Sequence, residues 1–231
     1  MIAIIPARGG SKGLPKKNIL SFAGKPLIAH TILAAKESSC IDDVIVSTDN
    51  DEIRDISLEY GARVPFVRPQ QFSTDTASAI DVYLHAVDYL EKEANEMILK
   101  FMVLLPTTPL RTSVDIDYVY QRYTQEKPDT VISIREPDTP PSWYMRLDDA
   151  SRITVCNFGG NNEMKNRQLN DRYGVVSGAV YILDYELLRS KRTYYSTNTL
   201  GVFLPNTHSV DIDNIDDFLY AEYLYGKREL L

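Results

Sequence analysis

Two groups of residues in this chain of 231 residues have the types and spacing to do chemistry together. The first is IIPARGGSKGLPKKN, from Ile4 to Asn18, where an apolar run opens into a loop holding three glycines, one arginine and three lysines. Cations on a turn with little side-chain bulk suit a compact polyanion, because backbone N–H groups can be aimed at phosphate oxygens. The second is SVDIDNIDDF, in which Asp211 and Asp213 stand two apart at the end of an apolar stretch. On an extended backbone both carboxylates point to one face, with Cα atoms roughly 6.5 Å apart. Such a pair can share a Mg²⁺ ion that substrate phosphates also hold. Helix capping is an alternative use for Asp213, since it precedes an amphipathic segment whose first turn Asp216 and Asp217 suit. Asp211 lies too early to be that cap, and the two uses of Asp213 are compatible.

The charge distribution sharpens the reading of the loop. The chain carries a net charge of −7, yet no acidic residue precedes Glu37, while Arg8, Lys12, Lys16, Lys17, Lys25 and Lys36 all do. An acidic protein that gathers cations beside one turn is neutralising a small polyanion rather than coating a nucleic acid. A merely solvated basic loop would have the same composition; the apolar run before it and the helical pattern after it favour phosphate.

Composition bounds the rest. With 44% hydrophobic side chains, the chain can bury one substantial α/β core. The apolar start, Met1 to Ile5, is too short for a signal peptide or a membrane span, so the expected setting is the cytoplasm, with no membrane partner. Cys40 and Cys156 lack metal-ligand spacing, and His30, His85 and His208 are too few for a histidine-rich metal site.

The elements that must position these residues follow from periodicity. Ile2–Pro6, Asp43–Asp49 and Leu99–Pro106 read as buried strands, and the stretch ARVPFV as a short edge strand because Pro65 cannot donate to a ladder. Pro26–Ser38, Asp51–Tyr60, Ala77–Glu93 and Ser113–Glu126 read as helices, with Ile80, Leu84, Val87 and Leu90 at helical spacing. This alternation implies βαβ units, and hence a Rossmann-like, mostly parallel sheet flanked by helices, in one domain spanning 1–231. Ligands of such sheets sit at the carboxyl ends of the strands, which lines up 8–18, 47–49 and 106–111 along one rim. From about Arg135 to Gly174 the rhythm breaks into a Pro-, Asp- and Asn-rich excursion with its own β-hairpin, an insertion that covers the site or pairs with a second subunit. The last part returns to strand, strand and helix.

Two common nucleotide motifs are absent. Gly24-Lys25 has no glycine at position 19 and is followed by Pro26, so it is no P-loop, and Gly9, Gly10 and Gly13 miss the spacing of a dinucleotide fingerprint.

Instead, IIPARGGSKGLPKKN resembles the nucleotide-binding signature of the CMP-sialic acid synthetases, the acylneuraminate cytidylyltransferases. The likeness continues through VSTDN, RPQQFSTDTAS, LLPTTPLRT, SGAVYI and SVDIDNIDD, in that family's order, over nearly the whole chain apart from the insertion. The resemblance implies an enzyme that joins CTP to a nine-carbon 2-keto sugar acid, a nonulosonic acid, with release of pyrophosphate and a requirement for Mg²⁺. It also implies a homodimer built partly by the inserted segment. Carried over by position, Arg8, Lys12, Lys17 and Asn18 match the residues that hold the CTP phosphates and ribose. Arg68, Asp75 and Ser78 match a second nucleotide-facing stretch, Arg111 closes the PTTPLR loop, and Asp211 and Asp213 match the metal pair. Arg167 and Gln168 keep the family's distance from Gly178 and are expected at the sugar site, Arg167 approaching that of the partner subunit. Arg8, Lys17 and Asp211 would carry the catalysis; proton removal from the sugar hydroxyl could fall to the metal or to Asp211.

Some positions depart from the family pattern. Leu105 stands where many members have Gln, Val175 where an arginine can occur and Ser177 where Asn is usual, so the identity of the sugar stays open among neuraminic, legionaminic, pseudaminic and deaminated acids. A CMP-Kdo-type synthetase is the nearer alternative, although its loop usually has Arg-Leu-Pro where this chain has Lys12-Gly13-Leu14-Pro15. A non-catalytic nucleotide-binding regulator would be expected to have lost Asp211 and Asp213.

Overall fold

The computed structural model describes residues 1–155 and 172–228. In chain order the elements are β1 (Ile2–Pro6), β2 (Ser21–Phe22), β3 (Lys25–Pro26), α1 (Leu27–Glu37), β4 (Asp43–Ser47), α2 (Asp51–Glu59), α3 (Ala79–Ala94), β5 (Lys100–Val103) and α4 (Ser113–Glu126). They continue with β6 (Thr130–Arg135), β7 (Met145–Leu147), β8 (Ile153–Val155), β9 (Val175–Asp184), α5 (Tyr185–Lys191), β10 (Thr199–Phe203) and α6 (Ile215–Arg228). Among the described residues, no helix is long and apolar enough to cross a membrane.

A mixed, mostly parallel sheet of six strands, in the order β10-β6-β9-β5-β1-β4, forms the centre. β1 runs parallel to both β4 and β5, and β10 runs parallel to β6. β1 is covered on both faces, which is why it reads as a continuous apolar run. Ala3 and Ile5 point into a core shared with Ile28 and Ile32 of α1 and with Ile116 and Val119 of α4. Ile4 points the other way, toward Val82, Ala86 and Leu90 of α3. Side chains that alternate along the strand thus anchor the two helical layers. The helix starts are fixed locally: Asn50 accepts from the Ile53 amide, Asp184 from Leu187, and Thr112 and Asp115 form a reciprocal capping box.

A third, smaller cluster decides where the chemistry sits. Phe22 and Leu27, from the β2–β3 hairpin and the start of α1, pack with Leu110, Ile212 and Phe218. This cluster brings the loop after β5 and the segment before α6 to the same end of the sheet as the glycine-rich loop.

Two expectations need correction, and two further features were not read from the pattern. The glycine-rich loop does not lead straight into a helix, because the β2–β3 hairpin stands between it and α1. The stretch ARVPFV forms no strand: it touches β4 only through single bridges at Arg63 and Val67, with Pro65 interrupting between them. The helix α5 was not anticipated, since its seven residues are too short to show a clear period. β9 runs antiparallel to β5 and β6, because the chain leaves β6 at Arg135 and returns at that same end, where Val175 pairs with Arg135. The hairpin expected within that excursion is β7–β8.

Candidate active site

The glycine-rich loop leaves β1 at Pro6 and is tied down at both ends. The Gly9 amide donates to an Asp49 carboxylate oxygen at 2.9 Å, and the buried Asn18 side chain donates to the Arg8 carbonyl oxygen at 3.0 Å. Asn18 therefore sets the curvature of the loop. Lys16, with φ of 56°, turns its side chain away to Glu52 at 2.9 Å. The next residue, Lys17, turns inward. Its ammonium donates to the Ile212 carbonyl oxygen at 2.6 Å and lies 3.3 Å from an Asp213 carboxylate oxygen. Gly13 makes that approach possible, because a Cβ built on it would stand 2.4 Å from the Asp213 carbonyl oxygen.

Together these groups wall a cleft of about 470 Å³, with Arg8, Lys12 and Lys17 on one side and Leu105, Thr107 and Asp213 on the other. A second hollow of about 350 Å³ shares Pro6, Arg8 and Leu105 with it and extends to Arg68, Asp75 and Tyr83. The two form one groove with Arg8 at the junction. Asp75 faces both loop cations, at 2.9 Å from Arg8 and 2.6 Å from Lys12, and its pKa is lowered chiefly by the Lys12 hydrogen bond. Arg68 is 4% exposed and donates to Ser47 through Nε at 3.0 Å and to the Ser47 carbonyl. Burial lowers its pKa to about 10, which still leaves it a cation at neutral pH. Ser78 caps α3, its hydroxyl accepting from the Ile80 amide at 3.3 Å.

Arg111 lies apart from both hollows. It is 2% exposed, and one Nη donates to the carbonyl oxygens of Ala179 at 2.7 Å and Leu105 at 3.3 Å, while its remaining guanidinium nitrogens have no partner among the described residues. It pins the 105–111 loop to β9 from beneath; burial pulls its pKa down to about 9. Ser177 also faces inward, its hydroxyl 2.8 Å from that of Ser133. Arg167 and Gln168, expected at the sugar site, and Cys156 lie outside the described residues.

The carboxylate pair has a distinct setting. The Ile212 amide donates to the Thr107 carbonyl oxygen at 2.8 Å, holding Asp211 and Asp213 against the loop after β5. Part of Asp211 is open to solvent. Its carboxyl pKa is nevertheless raised, first by the protein packed around it and further by the charge of Asp213, against a Thr107 hydrogen bond and the Lys17 charge. Capping is not the task of Asp213. Asn214 caps α6, accepting from the amides of Asp216 at 2.9 Å and Asp217 at 3.0 Å, and Asp217 reaches back to the Asn214 amide at 3.0 Å. The capping alternative overlooked Asn214 although the pattern Asn-x-x-Asp is present in the sequence.

No group of three or more His, Cys, Asp or Glu side chains able to hold a metal occurs among the described residues. Two mutually repelling carboxylates beside a cationic cleft fit an ion such as Mg²⁺, whose other ligands come from phosphate and water. Sequence reasoning missed the loop-positioning roles of Gly13, Asp49 and the Ile212 carbonyl, since these arise from contacts between distant segments.

A sheet whose parallel strands end at a groove, with cations on one wall and paired carboxylates near the other, suits nucleotidyl transfer. Residues 2–154 match the family model described as Cytidylyltransferase, and the chain belongs to that family. It is 34% identical over 228 residues to a CMP-N,N'-diacetyllegionaminic acid synthase of Legionella pneumophila, covering 97% of this chain and 95% of that one. It is 30% identical to a pseudaminic acid cytidylyltransferase of Campylobacter jejuni, covering 97% and 95%. An N-acylneuraminate cytidylyltransferase of Streptococcus agalactiae is 36% identical over 95% of this chain, which spans 52% of that protein's length. Among solved structures, a CMP:2-keto-3-deoxy-manno-octonic acid synthetase complexed with CTP superposes with a TM-score of 0.72 at 16% identity, covering 98% of each chain, a likeness of fold.

Proposed function

We propose that this enzyme transfers CMP from CTP to the anomeric hydroxyl of a nonulosonic acid and releases pyrophosphate. The observation that carries the reading is that Lys17 bridges the cationic loop and the carboxylate segment at one cleft. The relatives' names, covering legionaminic, pseudaminic and neuraminic acids, support the sugar class.

In this reading the sugar oxygen forms a bond to the α-phosphorus as the bond from that phosphorus to the pyrophosphate oxygen breaks. Arg8, Lys12 and Lys17 stabilise the charge that grows on the leaving group. Asp211 and Asp213 would hold Mg²⁺, which supplies charge neutralisation at the phosphates when bound. The hydroxyl proton passes to an Asp211 carboxylate oxygen that the ion leaves free. Asn18, by fixing the Arg8 carbonyl, keeps the loop open to the nucleotide, and Arg68 and Ser78 shape the far end of the groove.

Trp143, Leu147 and Ile153 are exposed on or beside the β7–β8 hairpin, which supports a homodimer in which the inserted segment joins two copies. Dependence on CTP supports a cytoplasmic setting.

Pyrophosphate release measured with CTP, ATP and GTP against a panel of nine-carbon and eight-carbon keto sugar acids tests the reading. CTP with a nine-carbon acid should give the highest kcat/KM. Comparable turnover with a purine triphosphate, or turnover confined to eight-carbon acids, would overturn it.

A further inference from the structure

Asp75 is the one carboxylate on the groove wall whose described partners are both loop cations. It belongs to the exposed turn before α3, where Ser78 already serves as the helix cap, so Asp75 has no capping role. Stability is a poor reason for the arrangement, since an ion pair with a lysine that is 78% exposed is screened by solvent and contributes little. What the contact does achieve is geometric: Arg8 Nη1 and Lys12 Nζ, four residues apart on a loop, converge on the two oxygens of one anion.

We propose that Asp75 is a positioning residue that stands in for phosphate, holding Arg8 and Lys12 converged between turnovers, yielding them to the triphosphate, and reclaiming them as pyrophosphate leaves. A single carboxylate bound to two cations is a weak competitor for a polyphosphate carrying several negative charges, so the exchange runs forward when CTP binds. The same carboxylate lowers the affinity for the product by offering both cations an alternative partner. Its effect passes through Arg8 and Lys12 and requires no contact with the nucleotide. The inference rests on reading this cleft as the triphosphate site.

Binding of inorganic pyrophosphate to the wild type and to Asp75→Asn, followed by calorimetry, tests it. Asn keeps the size of the side chain and removes the competing charge. The variant should bind pyrophosphate about five- to tenfold more tightly, a factor in line with the loss of two weak ion pairs. In steady-state assays its KM for CTP and its kcat should fall together, since tighter product binding slows release. Glu52→Gln removes the same charge from Lys16, which faces away from the cleft, and should leave pyrophosphate affinity within about twofold. Equal or weaker pyrophosphate binding by Asp75→Asn, or an equal gain in Glu52→Gln, would overturn the proposal while leaving the cytidylyltransferase reading intact. A wild type that neither bound pyrophosphate nor turned over CTP would overturn both.

Discussion

The Lys17 ammonium donates to the Ile212 carbonyl oxygen at 2.6 Å and stands 3.3 Å from the Asp213 carboxylate, joining segments 195 residues apart in the chain. A cation on one wall of the cleft is thereby fixed relative to the carboxylates near the other. Its side chain is only 13% exposed. The position of this charge, more than its presence, is what the fold has specified.

Replacing Lys17 and its neighbour should separate placement from charge. Lys17→Ala removes a cation aimed into the cleft and frees the loop from the 211–213 segment, whereas Lys16→Ala removes a cation paired to Glu52 outside it. A positioned cation is worth about 3 kcal/mol or more in the transition state, roughly a hundredfold in kcat/KM. Lys16→Ala should stay within about threefold of wild type, a difference of well under 1.4 kcal/mol. Similar losses in the two variants would show that the loop acts through general charge.

Gly13 supplies a steric test of the same contact. An alanine there would place its Cβ 2.4 Å from a backbone oxygen of Asp213, which no side-chain rotation can relieve. Gly13→Ala should displace the loop from the carboxylate segment and lower kcat/KM by about tenfold or more, on the scale by which small misplacements reduce rates. Wild-type kinetics in this variant would mean that the two segments need not touch.

Asp211→Asn and Asp213→Asn should abolish most turnover, because an amide cannot supply the negative charge that holds Mg²⁺ against a triphosphate. The fold should survive, since Asn214 rather than Asp213 caps α6. Wild-type activity should vanish in excess chelator and return with added Mg²⁺. Near-normal kcat for both variants at saturating Mg²⁺ would mean that these carboxylates are structural.

Stability against pH gives Asp211 a separate signature. Its folded pKa is raised above the ordinary 3.8, so the folded state binds a proton more tightly than the unfolded chain. The associated stability is fully present below the unfolded pKa and is lost as pH rises through the folded one. At pH 7 the metal-free Asp211→Asn variant should therefore melt at or above the wild-type temperature, and the difference should close near pH 3. A variant that melts lower at pH 7 and gains on the wild type as the pH falls would contradict this sign.

Arg111→Ala should be a stability mutation before it is a catalytic one. It removes the donor to the Ala179 and Leu105 carbonyl oxygens and opens a cavity beneath the 105–111 loop. Urea unfolding should show a loss of about 2–4 kcal/mol, the range expected for a truncated buried side chain with unsatisfied partners. An unchanged unfolding midpoint would show that the loop holds without its clamp.

Much of this was legible in the linear chain because it depends on short-range pattern. The continuous apolar runs of β1 and β4 and the helical periodicity of α3 are local signals, and they suffice for an α/β sheet with its ligand rim at the strand ends. The cationic loop and the Asp211–Asp213 pair stand out for the same reason, since residue type and spacing carry the chemistry. The antiparallel direction of β9, the β2–β3 hairpin and the choice of Asn214 over Asp213 as cap escaped the pattern, because each depends on what the chain packs against.

The residue types alone determined that this chain carries a cluster of cations on one loop and a pair of carboxylates two residues apart. Tertiary structure decided which of them meet. Lys16 and Lys17 are identical side chains on adjacent residues, and one faces Glu52 while the other reaches Asp213. Arg8 and Arg111 are both arginines in matched motifs, and one lines the cleft while the other is buried beneath its wall. The direction of a side chain depends on the backbone curvature and the packing around it, and contacts between segments nearly two hundred residues apart set both.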